Sequence, residues 1–269
     1  MGGPVLRSVP SQILVSCLVP LAAWGTVVSP IVPASLESSA SSPNLSVTPV
    51  RTAVVLDPGH NGASASHPAE INRPVPNGRG GTKPCNTTGT STNGGYPEHA
   101  FNWDVTVRVR SALTAHGVRV VLTRPDDGGV GPCVNDRAAI ANRAGAVAVV
   151  SIHADGAPPS GHGFHVSYSD PPLNHSQGPP SAALARSLAG ALRGNGFTAA
   201  GYIGSGGLYP RSDLAGLNLA QIPAALVECA NMRNSQEAAL ISTPAGRARY
   251  ATAIADGIMA WLAQVHERK

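Results

Sequence analysis

The chain has 269 residues, of which 42% are apolar and only 13% are charged, so it can bury a sizeable core in one or two domains. Its formal net charge of +4 comes almost entirely from arginines that are scattered singly along the chain. This distribution argues against a nucleic-acid-binding surface, and we expect no nucleic-acid partner.

The first 34 residues have the pattern of a secretory signal peptide. Arg7 supplies a positive charge, residues 13–28 are mostly apolar, and residues 32–34 offer small side chains for cleavage. Cys17 lies in a stretch similar to a lipoprotein box, but the apolar run continues beyond it, so lipidation is the less favoured alternative. The run is also shorter than the ~20 residues of a spanning helix and contains prolines. We therefore expect secretion without a stable membrane anchor.

Removal of this signal would leave three cysteines in an oxidising compartment. Cys85 and Cys133 lie in Gly/Pro-rich loops with little core of their own, which predicts a disulfide between them. Such a bridge stabilises by about 4 kcal/mol in the chain-entropy model. Cys229 follows a buried apolar run and is interpreted as a packed free thiol. A Cys/His zinc cluster is disfavoured because the chain has no CxxC spacing.

A polar lead-in, residues 35–51, is predicted to be disordered, and the folded domain is placed at 52–269. The Gly/Asn/Pro/Thr-rich segment 61–96 predicts a flap or lid. Elsewhere strands alternate with helices. The predicted strands are 53–56, 118–123, 146–152, 163–168 and 224–228, and the predicted helices are 98–115, 135–143, 181–193, 235–241 and 243–264. This alternation predicts an α/β fold with a mainly parallel sheet between helices. His165, on the polar face of its strand, is expected at the surface.

Two of the predicted strands lead directly to a histidine. The first breaks at Pro58-Gly59 and is followed by His60, and the third ends at His153. A later strand ends at Glu228, and Glu98 opens a predicted helix. Open α/β sheets place their chemistry at the carboxyl edge of the strands, so these four side chains predict a metal site.

This ordered set resembles the zinc-dependent N-acetylmuramoyl-L-alanine amidases, which cleave bacterial peptidoglycan. The segments that carry the resemblance are Val55-Leu56-Asp57-Pro58-Gly59-His60, Glu98, Thr123-Arg124 with Arg137, Ala141 and Asn142, Ser151-Ile152-His153-Ala154-Asp155, and Leu226-Val227-Glu228 with Asn231 and Asn234. The resemblance as a whole runs from about residue 54 to about residue 261. The resemblance implies a single three-layer α/β domain on a twisted sheet of about six strands.

The resemblance also implies a ligand set. His60, Glu98 and His153 match the family's zinc ligands, which implies one Zn²⁺ per chain with a fourth position open. Glu228 is then the catalytic base that takes a proton from water and passes it to the leaving amine. His99 could compete with its neighbour Glu98 as a ligand, but the family's motif has a glutamate there.

Asp57 and Asp155 each lie close in sequence to a proposed histidine ligand. They are interpreted either as partners that orient the imidazoles or as ordinary turn residues, and the sequence does not decide between the two. The Gly-rich stretches 61–96 and 202–213 are expected to flank the site as walls of a polar groove.

The implied reaction is hydrolysis of the amide between N-acetylmuramic acid and L-alanine by a secreted monomer, in the periplasm or cell wall, on peptidoglycan or muropeptide fragments. A zinc peptidase acting within the stem peptide is an alternative, since it shares the metal chemistry. A wall-binding module without catalysis is another, but it would not need Glu228. A serine hydrolase is disfavoured because no Gly-x-Ser-x-Gly elbow follows a strand.

Overall fold

The structure, a computed structural model, describes residues 52–267. The expected signal peptide and lead-in, residues 1–34 and 35–51, lie outside the described residues. Eight strands are present in this part of the chain: β1 Ala53–Pro58, β2 Pro74–Pro76, β3 Thr82–Pro84, β4 Arg119–Leu122, β5 Ala148–Asp155, β6 His165–Ser169, β7 Leu208–Arg211 and β8 Ala224–Asn231. The helices are α1 Pro68–Ile71, α2 Glu98–Ala115, α3 Val134–Arg143, α4 Pro179–Gly194, α5 Ala215–Asn218, α6 Ser235–Ile241 and α7 Pro244–His266.

Six strands form one sheet in the order β4-β1-β5-β8-β6-β7. The first four of these are parallel, as the β-branched runs of β1 and β5 predict. β6 runs antiparallel to β8, and β7 is parallel to β6. The carboxyl ends of β1, β5 and β8 therefore share one edge of the sheet with the amino end of β6. The predicted α/β class and mainly parallel sheet are confirmed.

The two faces of the sheet are covered unequally. On one face, α2, α4 and α7 bury the larger core, which includes Leu56, Ile152 and Val227 of the central strands. On the other face, the short helices α3 and α5 cover a smaller cluster. Burial of each such aliphatic side chain stabilises the fold by roughly 1.5–3 kcal/mol. Because side chains alternate between faces, His153 and Glu228 lie on the thinly covered face.

The segment 61–96, expected to be a structureless flap, has local structure of its own. It contains α1 and the antiparallel hairpin of β2 and β3. The predicted disulfide joins Cys85 to Cys133, and the Val134 N–H donates to the Cys85 carbonyl, so the segment is fastened to the start of α3. Cys229 carries a free, buried thiol, as predicted.

One strand is additional to those predicted, and one expectation is corrected. The stretch 202–213, expected only to form a wall of the groove, contains β7, because pairing with β6 supplies backbone partners that its composition does not signal. His165 is only 2% exposed, not at the surface, because β7 and Tyr202 cover that end of β6. None of the helices within residues 52–267 has the length and apolar character needed to cross a membrane.

Candidate metal centre

Three side chains from separate elements converge at the shared edge of the sheet. His60 follows β1, Glu98 is the first residue of α2, and His153 lies in β5. Their candidate ligand atoms all lie within 4.8 Å of one another. Glu98 is central: its Oε2 is 3.1 Å from Nε2 of His60, and its Oε1 is 3.0 Å from Nδ1 of His153. Two imidazoles around one carboxylate form a possible metal site.

The carboxylate of Glu98 is held by the backbone around it. It is 4% exposed and accepts hydrogen bonds from the N–H of Thr90 at 2.9 Å and of Ala154 at 3.2 Å. Asn102, one turn later in α2, donates to it at 3.2 Å and also to the Gly59 carbonyl. Burial alone would raise the pKa of Glu98, but His60 and His153 hold that pKa well below its usual range. Glu98 is therefore an ionised carboxylate of fixed orientation at the positive end of a helix, where its oxygens could coordinate a metal ion.

His60 adopts a left-handed backbone conformation, with φ of 58°, which for a residue other than glycine costs about 1–3 kcal/mol. Arg137 stabilises this turn by donating to the carbonyl of His60 at 2.9 Å and to that of Pro58 at 2.7 Å. The Thr87 carbonyl lies 2.9 Å from Nδ1 of His60. A carbonyl can only accept, so Nδ1 carries a proton, and in the neutral ring the Nε2 lone pair is left for a metal.

Within residues 52–267, the Asp57 carboxylate is hydrogen-bonded to residues other than the two imidazoles. Its carboxylate accepts from Thr123 and Ser151, each at 2.5 Å, and from Arg137 at 2.9 Å. Burial would raise the pKa of Asp57, but Arg137 and the two hydroxyl donors lower it to about 2. Asp57 therefore fixes Arg137, which in turn holds the His60 turn.

Asp155 is likewise bound elsewhere. Its carboxylate accepts from the Tyr202 hydroxyl at 2.8 Å and from the Gly156 N–H at 2.6 Å. It therefore holds the start of the loop after β5 and is hydrogen-bonded to Tyr202, not to a proposed ligand. The neighbouring His99, a rival for Glu98, has its Nδ1 2.7 Å from Asp127 and lies outside the three-residue cluster.

Glu228 pairs with His153 across the parallel strands β8 and β5. Its Oε2 is buried and has no hydrogen-bond partner among the described residues. Burial, and after it the nearby carboxylates of Glu98 and Asp155, raises the pKa of Glu228 well above its usual range. A carboxyl with a raised pKa beside a cluster of metal-ligating groups is suited to accept and return a proton.

A cavity of about 410 Å³ opens over these residues. The metal-site residues and Glu228 form its floor, and the Gly-rich stretches both contribute to its walls. The wall residues include Lys83, Thr87, Thr88, Gly89, Thr90, Arg211, Asp213 and Leu214. The lining is mixed in character. Lys83, Arg137 and Arg211 supply positive charge, and Pro84, Val134, Leu214 and Leu217 supply apolar surface.

The profile of the family described as N-acetylmuramoyl-L-alanine amidase matches residues 54–260. An N-acetylmuramoyl-L-alanine amidase of Mycobacterium tuberculosis is 50% identical over 239 residues, which cover 89% of this chain and 96% of that protein. The crystal structure of the amidase Ami1 from Mycobacterium smegmatis is 56% identical with a TM-score of 0.77, covering 79% of this chain and 97% of that one. The apo form of Ami1 from Mycobacterium abscessus is 55% identical with a TM-score of 0.76, covering 78% and 98%. Because the family profile matches most of the chain and these relatives share half or more of its residues, the chain belongs to the N-acetylmuramoyl-L-alanine amidase family.

Proposed function

We propose that this protein is a zinc-dependent hydrolase that cleaves the amide between the lactyl group of N-acetylmuramic acid and L-alanine in peptidoglycan. The observation that carries the proposal is the convergence of His60, Glu98 and His153 beside Glu228, whose Oε2 has no partner among the described residues. Family membership supports the choice of bond. The arrangement itself supports metal-assisted attack by water.

The donor set fits zinc. Two imidazole nitrogens and one carboxylate oxygen are an accepted catalytic set for this ion, with a fourth position left open. The Thr87 carbonyl fixes the tautomer of His60, as partners of metal-bound histidines commonly do. When bound, zinc would supply Lewis acidity that lowers the pKa of a water molecule and polarises the scissile carbonyl.

Glu228 would move the proton. Its carboxylate would take a proton from the attacking water while the water oxygen bonds to the carbonyl carbon. It would then give that proton to the amide nitrogen as the carbon–nitrogen bond breaks, leaving a lactyl carboxylate and the free amino group of L-alanine. Burial beside Glu98 and Asp155 favours the protonated form that the second step requires.

The walls of the cavity would bind the glycopeptide by polar contacts. Lys83 offers positive charge to the carboxylates of a stem peptide, and the backbone of Gly89 lies against both Glu98 and His60. Residues 1–34 would direct the chain out of the cytoplasm, to act as a monomer in the periplasm or cell wall without a stable membrane anchor.

The products released from muropeptides test this function. Zinc-loaded protein should release stem peptides with a new L-alanine amino terminus, detected by mass spectrometry, and the Glu228→Gln variant should release almost none. New termini only within the stem would instead assign a peptidase. Binding to peptidoglycan without any new terminus would assign a wall-binding module.

A further inference from the structure

The reversal of chain direction at β6 brings a third histidine to the edge of the sheet that carries the metal centre. His165 is the first residue of β6 and is the antiparallel partner of Glu228 in β8. The two residues lie on the same face, because the alternate residues Val166 and Val227 point into the core on the other side. Directly paired residues of antiparallel strands have Cβ atoms about 4.5–5.5 Å apart. Glu228 therefore has His153 on one side and His165 on the other.

His165 and Glu228 each have one buried side-chain atom without a hydrogen-bond partner among the described residues. His165 is 2% exposed, and its Nδ1 is buried without a partner among the described residues, as is Oε2 of Glu228. Buried polar atoms are nearly always hydrogen-bonded in folded proteins. The two atoms are not within hydrogen-bond distance of each other in this structure, so a bond between them requires a change of side-chain conformation. An imidazole N–H and a carboxylate oxygen, on paired residues of one sheet face, are chemically a matched donor and acceptor.

The surroundings of His165 restrict both its orientation and its charge. The ring makes edge-on contacts with Tyr202 and Tyr209, at centroid distances of 6.3 and 5.7 Å. Burial, opposed by Asp155 and reinforced by Arg211, lowers the pKa of His165 to about 4. At neutral pH the imidazole is therefore uncharged and has one N–H to donate.

The other charged groups near His165 are already engaged. The Asp155 carboxylate accepts from Tyr202 and Gly156, and Arg211 donates to the Asp213 carboxylate at 2.8 Å. Glu228 is left as the acceptor. His165 does not line the cavity, so a direct contact with substrate is not its role.

We propose that His165 is a positioning residue that donates a hydrogen bond to Glu228 and holds its carboxylate toward the metal centre. The proposal rests on the proposed function only in that Glu228 is taken as the base. A hydrogen bond to a charged group commonly changes an equilibrium by roughly 10- to 100-fold. We expect a loss of that size in kcat when the donor is removed, with KM unchanged.

Steady-state kinetics on a muropeptide test this in the zinc-loaded protein. His165→Phe should lower kcat by about 10- to 100-fold while zinc content and the thermal midpoint stay close to those of the wild type. His165→Asn, which keeps an N–H near the position of Nδ1, should recover much of the loss, and His116→Phe, at an exposed histidine, should change nothing. In a Glu228→Ala background, His165→Phe should add little further loss, because the acceptor is already gone. Equal losses for Phe and Asn, or the same loss in both backgrounds, would overturn the proposal.

A second measurement does not depend on activity. In metal-free protein labelled with ¹⁵N-histidine, the Nδ1 resonance of His165 should shift when Glu228 is replaced by Ala, while the resonances of His116 stay in place. An unchanged His165 resonance would refute the proposed hydrogen bond. If the wild-type protein released no stem peptide yet this resonance shifted, the proposed function would fail while the proposed hydrogen bond between His165 and Glu228 stood.

Discussion

The backbone of Gly59 packs directly against the imidazole ring of His153. A Cβ atom built on Gly59 would lie only 2.1 Å from Cε1 of His153, and the Gly59 N–H donates to the Ile152 carbonyl at 3.0 Å. The turn after β1 therefore approaches β5 more closely than any side chain allows. This contact makes Gly59 a determinant of where the His153 ring lies.

Gly59→Ala should displace His153 and weaken zinc binding. Loss of the support around a metal ligand typically lowers metal affinity by ~10- to 100-fold, and overpacking destabilises by roughly 1–3 kcal/mol. Competition with a fluorescent zinc chelator measures the affinity. Gly190→Ala is the matched control, since nothing lies within 4 Å of its added Cβ. Wild-type affinity in Gly59→Ala would show that the ring can relax without cost.

The metal itself should depend on His60 and not on His99. His60→Ala removes one of the three converging ligand atoms, so we expect this variant to bind none of the proposed zinc and to lose activity as well. His99→Ala should keep both, because His99 binds Asp127 instead. Elemental analysis of the two variants, side by side, decides this. Full zinc content in His60→Ala would exclude the proposed ligand set.

Glu228→Gln should separate metal binding from catalysis. The amide has nearly the same shape but cannot accept the proton, so turnover should fall by ~10²- to 10⁴-fold with zinc retained. Stem-peptide release and zinc content are measured on the same preparation. Glu70→Gln, at an exposed glutamate, is the control and should behave as wild type. Near-normal turnover in Glu228→Gln would place the base elsewhere.

Asp57 should make the fold sensitive to acid. Its pKa is lowered from 3.8 to about 2 in the folded protein, so its contribution to the free energy of unfolding is fully present above the unfolded pKa. That contribution is lost as pH falls from about 4 toward 2, and it amounts to about 2 kcal/mol. Urea unfolding at several pH values measures it. Asp57→Asn should flatten the dependence in this window, whereas Asp136→Asn, at an exposed carboxylate, should preserve it.

The disulfide should support the loop that orients His60. Cys85 lies two residues before Thr87, whose carbonyl binds Nδ1 of His60, and it is bonded to Cys133. Replacing both cysteines by serine should destabilise the protein by about 2–5 kcal/mol, as read from thermal or urea unfolding. A non-reduced peptide digest should show Cys85 linked to Cys133 and Cys229 unlinked. Any linkage to Cys229 would contradict the structure, where that thiol is buried and free.

The sequence alone determined the strands of the parallel half of the sheet and the residues that they place at its edge. β-branched runs favour strands, and Pro-Gly ends one, so the sequence correctly placed His60 just after β1 and His153 and Glu228 in two further strands. The predicted ends of those two strands were too early, because β5 continues to Asp155 and β8 to Asn231. The start of α2 at Glu98 was equally well marked, because Pro97 suits a helix start. These signals come from residues that are neighbours in sequence, so they do not depend on which distant segments pack together.

Only the tertiary structure decided the direction of β6 and the partners of the polar side chains. Alternation of polar and apolar residues predicts a strand, but it does not tell whether the strand is parallel or antiparallel to its neighbour. His165 was therefore expected in solvent and not opposite Glu228. Likewise, the position of Asp57 beside a turn could not reveal that its carboxylate accepts hydrogen bonds from Thr123, Ser151 and Arg137. These partners lie 66 to 94 residues away along the chain, and only the packing of the sheet brings them together.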